Sequence, residues 1–269
     1  MQAKKFVDIM CPLHDKKTET TLLFECPPNN WAQDVSLQVV KCNECGLVFF
    51  SPNLSPSVRR AYHGEEYFRA PEKGCVGYPD YVEDGHVGAK VYFGKLLVHW
   101  CHRLWKGKTN PPSSVIDLGC ATGHMLVPFQ TKGYDPVVGI DFSKWAVEWG
   151  KSNLGIDLRC QDMDALRLGK EEMFDCIIFW DSLEHAQKPR QLLRKLYAHS
   201  PEEAVMIVQM PDVDQFGDNP DHPFWSLYQH AFHYNEETLT KLMELEGFSV
   251  QKRLPSSQAE EMLFAVTKA

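Results

Sequence analysis

Short apolar runs alternate with segments of helical periodicity from residue 111 to residue 269. Such runs are typical of buried strands, and apolar residues spaced by three or four are typical of amphipathic helices, like the leucines between 192 and 196. Asn235 is a predicted helix N-cap, and Pro128 should shorten or kink the first helix. The alternation predicts an α/β fold with a doubly wound sheet. The predicted strands are 115–118, 137–141, 156–162, 176–180, 204–208, 248–254 and 262–267.

Two glycines mark the turn after the first of these strands. The run VIDLGCATG ends its strand at Gly119, and Gly123 opens a helical segment, so a ligand can lie close to the backbone. Asp141 ends the next strand, in register for a carboxylate that accepts both hydroxyls of a ribose. A dinucleotide fingerprint would also need glycine where Ala121 and His124 stand, which disfavours a nicotinamide-dependent oxidoreductase. A strand–turn–helix without any ligand is the simpler alternative.

This loop with its ribose-binding acid resembles the class I S-adenosylmethionine-dependent methyltransferases, whose usual Gly-x-Gly-x-Gly pattern is altered here at Ala121. The segment FDCIIFWDSLEH adds to the resemblance, since the family's fourth strand usually ends beside the sulfonium and runs into Leu-Glu-His. The resemblance implies a Rossmann-like seven-stranded methyltransferase sheet and S-adenosyl-L-methionine as cofactor. In such a site Asp162 would meet the adenine amine, with Met163 and Phe142 against the ring. The implied cofactor contacts are Gly119, Cys120, Ala121, Gly123, His124, Asp141, Phe142, Asp162, Met163, Trp180, Ser182 and Tyr81.

The N-terminal segment carries a separate pattern, in which Cys11 and His14 form one knuckle-like pair and Cys42 and Cys45 form another. Four such ligands would complete the tetrahedral shell of a closed structural Zn²⁺ site, with Cys26 as an alternative ligand. The intervening segment is too polar for a core of its own, so metal binding would supply much of its folding free energy. The arrangement resembles the zinc-binding N-terminal domain on a branch of class I methyltransferases that includes sugar C-methyltransferases. Unrelated thiols in a disordered N-terminus are the alternative.

Aromatic residues are concentrated between these two regions, and a helix with an apolar face is predicted from about 86 to 106. In the family this segment crosses the open face of the cofactor site, so Tyr78 or Tyr81 could touch the cofactor or the substrate. Packing of the rings between helices and sheet is the simpler alternative. The predicted organisation is a zinc-binding domain over 1–52, an aromatic-rich helical connector over 53–110 and a methyltransferase domain over 111–269.

Methyl transfer from a sulfonium is an in-line displacement, and an alcohol or acidic C–H acceptor also requires a base. His185 follows the fourth strand, and Tyr228 and His230 lie in an aromatic loop after the fifth. Ligands of such sheets bind at this carboxyl edge, so these three are the candidate catalytic residues. Sugar C-methyltransferases carry a Tyr-x-Glu-His-like cluster near this place, where Gln229 here replaces the acid. Structural loop histidines that bond to the backbone are the alternative.

Charge and cysteine content narrow the choice of partners. The formal net charge is −8 at pH 7 without a long basic stretch, which argues against nucleic acid or an anionic membrane as partner. Cysteine occurs 9 times, an odd count that fits a reduced, cytoplasmic chain better than a disulfide framework. The leading hypothesis is methyl transfer to an O or C nucleophile of a small polar metabolite, such as a sugar nucleotide, glycan precursor or natural product. The alternative is an inactive cofactor-binding protein whose zinc module contacts a partner protein.

Overall fold

The secondary structure is that of a computed structural model, which describes residues 5–14, 16–27, 36–69, 77, 80–105, 110–256 and 259–269. The strands are β1 (Phe6–Val7), β2 (Thr20–Cys26), β3 (Leu37–Cys42), β4 (Val48–Ser51), β5 (Asn53–Leu54), β6 (Val115–Leu118), β7 (Val137–Asp141), β8 (Asp157–Cys160), β9 (Cys176–Trp180), β10 (Val205–Pro211), β11 (Phe232–His233), β12 (Phe248–Arg253) and β13 (Glu261–Lys268). The helices are α1 (Pro56–Tyr62), α2 (Glu65–Phe68), α3 (Asp84–Leu104), α4 (Val127–Thr131), α5 (Lys144–Leu154), α6 (Pro189–Ala198), α7 (Val213–Phe216) and α8 (Glu236–Leu245).

Seven strands form the central sheet in the order β12-β13-β10-β9-β6-β7-β8. Strands β6 to β10 pair in parallel, and β13 is antiparallel to both of its neighbours. Alternate residues of β6 face opposite sides of the sheet, since Val115 packs in the apolar cluster that includes α3, and Ile116 packs in the one that includes α6 and α8. The predicted doubly wound, Rossmann-like seven-stranded sheet is therefore confirmed.

Local signals set the helix boundaries. The Asn235 side chain accepts from the backbone N–H of Thr238 at 3.0 Å, and the Thr238 hydroxyl accepts from the N–H of Asn235, which completes a capping box for α8. Pro128 stands in the first turn of α4, which has only 5 residues and follows a 3₁₀ turn at His124–Leu126. The predicted N-cap and the predicted shortening at proline are both observed.

The N-terminal sheet is completed by a strand from the other end of the chain. Its order is β11-β4-β3-β2, with Phe232 opposite Phe49 and His233 opposite Val48. Its apolar cluster joins residues of β3 and β4 to Phe216, Trp225 and Tyr228 of the later segment. In the described part of the first fifty residues, the apolar side of the small sheet is therefore shared with the loop after β10. The domain limits at 52 and 110 remain a prediction.

The connector contains the predicted long helix, observed as α3 at Asp84–Leu104. Tyr78 lies outside the described residues, whereas Tyr81 is buried. Within the described part of the chain, no helix combines the length and apolar character needed to cross a membrane.

Candidate active site

A crevice opens at the carboxyl ends of β6, β7 and β9, where the strand order of the sheet reverses direction and ligands of doubly wound folds bind. We call it the cofactor crevice, and its lining is His63, Tyr67, Phe68, Tyr81, Lys90, Gly119, Ala121, Asp141, Phe142, Met163, Trp180, Asp181, Ser182 and His185. Its enclosed volume is about 90 Å³. Ligand sites usually hold roughly 300–1,000 Å³. The crevice is therefore narrower in this structure than a typical ligand site.

The turn after β6 brings backbone rather than side chains to the crevice. Gly119 has φ +82°, and a Cβ built there would lie 2.6 Å from the Cβ of Ser182. Ala121 also adopts a positive φ, of 49°, which is uncommon for a residue with a side chain. Its N–H donates to Oδ2 of Asp141 at 2.9 Å, so the turn is tied to the end of β7.

Asp141 ends β7, and each of its two carboxylate oxygens accepts a backbone hydrogen bond. Its Oδ1 accepts from the backbone N–H of Ser143 at 2.8 Å, while Oδ2 accepts from Ala121. Burial raises the pKa of Asp141 to about 6, against the lowering effect of these two hydrogen bonds. Phe142 and Met163 line the same end of the crevice with apolar surface.

Acidic side chains lie beneath and beside the crevice. Burial raises the pKa of Asp117 to about 7, and the negative charge of Asp141 adds to this rise. Burial likewise raises the pKa of Asp181 to about 6, whereas the nearby Lys90 ammonium opposes the rise in both cases. Lys90 also lies over the Tyr81 ring, 5.4 Å from its centroid. These acidic side chains, together with the ammonium of Lys90, favour a ligand that carries both a positive charge and an anionic group.

Four predicted cofactor contacts lie outside the lining of the crevice. The Cys120 thiol is directed towards Gly139, and a Cβ at Gly123 would meet Leu158 instead of a ligand. The His124 ring is buried and bonds to the hydroxyl of Thr122 at 2.7 Å. Their side chains shape the turn, and the assignment of these three residues as cofactor contacts stays a prediction.

The fourth residue outside the lining is Asp162. Its carboxylate accepts from the backbone N–H of Asp164 at 3.0 Å and pairs with Arg60 at 3.3 Å. Its contact with adenine stays a prediction, as do the roles of the predicted residues that line the crevice.

No motif marks several of the residues that line the crevice. His63 is buried between Tyr67 and Phe142, and Lys90 lies on α3. Tyr67 and Phe68 belong to the short helix α2, for which no motif exists. Asp181 is not among the predicted contacts, although it stands between the predicted Trp180 and Ser182. Its position directly after a strand is a signal in the sequence that indicates a site residue.

A second cavity adjoins the cofactor crevice and shares Tyr67, Asp181 and His185 with it. We call it the adjoining cavity; its volume is about 330 Å³, and its lining is Tyr67, Gly77, Asp181, Glu184, His185, Pro211, Phe224, Leu227, Gln229, His230 and Glu261. The His185 and His230 rings meet edge to face, with centroids 4.7 Å apart. The structure thus brings these two candidate catalytic histidines together.

Tyr228, the third candidate, lies elsewhere. Its ring packs against Phe50 at 5.3 Å between centroids, and its hydroxyl donates to the carbonyl of Pro27. The side chain lines neither cavity, because the pairing of β11 with β4 draws this part of the loop onto the N-terminal sheet. The structure thus separates the Tyr228 side chain from the two histidines, and its assignment as a catalytic residue stays a prediction.

The predicted metal ligands converge in the N-terminal region. One potential ligand atom from each lies within 4.8 Å of the others, and the residues are Cys11, His14, Cys42 and Cys45. The Cys11 and Cys45 sulfurs are 3.4 Å apart, and burial raises the pKa of the Cys11 thiol. Nδ1 of His14 faces the Glu44 carboxylate at 3.6 Å.

This set fits a closed zinc site. Nε2 of His14 is buried without a hydrogen-bond partner among the described residues, as expected for an atom reserved for a metal. The carboxylate of Glu44 would hold the ring in the required tautomer. Cys26, the alternative ligand, instead packs in the apolar cluster of the N-terminal sheet.

Comparison with known proteins identifies the family. A methyltransferase-domain family model matches residues 91–253. A malonyl-[acyl-carrier protein] O-methyltransferase from Anoxybacillus flavithermus is 25% identical over 144 residues, which are 52% of this chain and 52% of that protein. The chain therefore spans about half the length of the curated relative it matches.

Solved structures agree in fold. Magnesium protoporphyrin IX methyltransferase from Synechocystis PCC 6803, with bound SAH, is 19% identical with a TM-score of 0.56, covering 79% of this chain and 99% of that one. An amino pentose methyltransferase from Micromonospora echinaspora, with bound SAM, is 13% identical with a TM-score of 0.54, covering 67% and 92%. The predicted methyltransferase family is thus confirmed, and since the family model spans more than half of its residues, the chain belongs to the methyltransferase-domain family.

Proposed function

We propose that the protein transfers a methyl group from S-adenosyl-L-methionine to an O or C nucleophile of a small polar metabolite. The observation that carries the proposal is the arrangement around Gly119, Asp141 and His185, where a bare turn, a carboxylate and an imidazole border one crevice. Membership of the methyltransferase-domain family supports it, and so do the structural relatives that hold SAM or SAH.

The cofactor supplies a methyl group on a sulfonium centre, which needs orientation more than chemical activation. Asp141 would accept the ribose hydroxyls, and Phe142 and Met163 would face the adenine. Asp181 would stabilise the positive sulfonium end. Lys90 would pair with the carboxylate of the methionine moiety, because it is the one cationic side chain that lines the described crevice.

The adjoining cavity is proposed as the acceptor site. Its wall carries imidazole, carboxylate and amide groups, which suits a polar acceptor such as a sugar nucleotide, glycan precursor or natural product. Oxygen is the favoured acceptor atom. His185 borders both spaces and His230 stands behind it, so these two are the groups proposed to activate the acceptor. The named relatives support a range of acceptors, since they are a magnesium protoporphyrin IX methyltransferase, an amino pentose methyltransferase and a malonyl-[acyl-carrier protein] O-methyltransferase.

The zinc-binding assignment belongs to this proposal as a structural element. A Zn²⁺ ion held by the four N-terminal ligands would cross-link β3 to the turn around Cys11 and stabilise the small sheet. The ion would take no part in the chemical step of methyl transfer.

Calorimetry with S-adenosylhomocysteine tests the proposal. Loss of a hydrogen bond to a charged group costs about 1.5–3 kcal/mol, so Asp141→Asn should weaken binding by about ten- to a hundredfold. Asp157→Asn is the matched control, because this aspartate is exposed at the start of β8. Absence of binding to the unaltered protein, or equal affinity of the Asp141 variant, would refute the cofactor assignment. Transfer of a labelled methyl group across an acceptor panel then identifies the substrate.

A further inference from the structure

Glu184 is the least compensated charged side chain of the adjoining cavity. The residue is 2% exposed, and neither of its carboxylate oxygens has a hydrogen-bond partner among the described residues. A buried carboxylate without a partner is costly unless it is protonated or meets a cation. The imidazole nitrogens that approach it in the described chain are Nε2 of His185 at 3.9 Å and Nε2 of His230 at 4.0 Å.

The geometry of these three side chains matches a metal site better than a hydrogen-bonded relay. Both distances between the Glu184 oxygen and an imidazole nitrogen are longer than a hydrogen bond. Two atoms that bind one ion at about 2.1 Å, in contrast, can lie up to about 4.2 Å apart. All three ligand atoms lie within 4.8 Å of one another, so a movement below an ångström would bring them to a common ion. We propose that Glu184, His185 and His230 bind a divalent transition-metal ion, which holds an oxygen of the acceptor.

The surroundings orient these ligands. The Gln229 carbonyl lies 3.2 Å from Nδ1 of His185, and since a carbonyl only accepts, this nitrogen carries the proton and leaves the lone pair on Nε2. The guanidinium of Arg59 donates to the carbonyl of His185 at 2.6 Å, which fixes the turn that carries Glu184 and His185. Metal-ligating histidines usually have such partners on their second nitrogen.

The donor set defines the class of ion and its role. Two imidazoles and one carboxylate suit manganese, iron, cobalt or zinc in the divalent state, and they leave positions open for further ligands. Asp181 and Glu261 line the same cavity and add negative charge that attracts a cation. A hydroxyl of the acceptor bound to the ion becomes more acidic, its O–H bond breaks, and the proton passes to the Glu261 carboxylate. This inference rests on the proposed function for the identity of the acceptor, but binding of the ion is independent of it.

Titration of the full-length protein with Mn²⁺, followed by the loss of the free-ion EPR signal, tests the site. Mn²⁺ prefers oxygen and nitrogen to thiolate, so the N-terminal cysteines do not compete. We expect one ion per chain, an affinity at least tenfold weaker in Glu184→Gln and in His230→Asn, and no change in His99→Asn, which alters an exposed histidine of α3. Equal affinity of the Glu184 variant and the unaltered protein, or no binding at all, overturns the proposal.

Thermal unfolding gives a second test, because Glu184→Gln should change the unfolding temperature in one way without metal and in another with Mn²⁺. Without added metal, Glu184→Gln should unfold at a higher temperature than the unaltered protein, because a neutral amide replaces an unpaired carboxylate. With Mn²⁺ the unaltered protein should gain stability and the variant should not. Calorimetry with S-adenosylhomocysteine separates the two proposals: cofactor binding without Mn²⁺ binding refutes only the metal site, and the reverse refutes only the proposed function.

Discussion

Replacement of Asp117 by asparagine should stabilise the protein at neutral and alkaline pH, but not in acid. Asp117 lies within β6 and is 2% exposed. Its burial raises the pKa from 3.8 to about 7, with a further contribution from the charge of Asp141. Between these two pH values the folded protein keeps a proton that the unfolded chain has released. The free energy of unfolding therefore falls as the pH rises through this window.

The size of the effect follows from the difference between the two pKa values. From 3.8 to about 7 is about 3 units. At about 1.4 kcal/mol per unit, ionised Asp117 costs on the order of 4 kcal/mol above pH 7 and nothing below pH 3.8. Asparagine has nearly the same shape and no charge to bury. The stability advantage of Asp117→Asn should therefore grow from a small value at pH 4.5 to several kcal/mol at pH 8.

Urea unfolding at pH 4.5, 6 and 8 measures this directly, with Asp157→Asn as the exposed control. An advantage of the Asp117 variant that is independent of pH would refute the reasoning, since packing or hydrogen bonding would then explain it. The same substitution should lower the affinity for S-adenosylmethionine more than that for S-adenosylhomocysteine, because only the former has a positive sulfur. The buried carboxylate that destabilises the free protein would then favour the positively charged ligand from beneath the crevice.

Three further predictions concern the turn after β6, Tyr228 and the N-terminal metal ligands. Ala121→Gly should raise the free energy of unfolding in urea by up to about 1 kcal/mol, since a left-handed φ costs an L-residue roughly 1–2 kcal/mol, whereas the control Ala146→Gly in α5 should lower it. Tyr228→Phe should cost about 1 kcal/mol of stability and leave kcat unchanged; a tenfold loss of kcat would support its catalytic assignment. A thiol-specific mercurial should release one zinc ion per chain and lower the Tm, and Cys42→Ser should contain one zinc ion fewer than the unaltered protein; an equal zinc content of the two proteins would contradict the N-terminal site.

Periodicity along the chain was sufficient to predict the central sheet. Each buried strand is a local apolar run, and the turn at Gly119 and the acid at Asp141 follow strands directly. The carboxyl ends of neighbouring parallel strands must meet at one edge, so the sequence alone predicts that these residues lie close together. The convergence of His185 with His230 follows from the same rule, since they come after β9 and β10, which are adjacent.

The roof of the crevice could not be predicted in this way. Lys90 and His63 reach the crevice because α1 and α3 pack across the edge of the sheet, and no local pattern encodes that packing. Tyr228 is the converse case, because its position two residues before His230 predicts that it lies at the same edge of the sheet. Its ring nevertheless packs on Phe50, as a result of the long-range pairing between β11 and β4. Contacts of this kind depend on the whole fold.

The N-terminal region also acts on the candidate acceptor site through its own contacts. Arg59, at the start of the connector, bonds to the carbonyl of His185 and pairs with Asp164 at 3.4 Å. The carboxylate of Asp164 in turn accepts the backbone N–H of Gln187 at 3.0 Å, so both sides of the histidine turn are fixed. The small sheet is linked to both histidines, because β11 follows His230 and pairs with β4, and because α1, which carries Arg59, follows β4 and β5 in the chain. Loosening of the small sheet should therefore reach both histidines. A zinc ion bound there would thus influence transfer by holding the adjoining cavity in shape, while the Gly119 turn and Asp141, built on the central sheet, would still bind the cofactor.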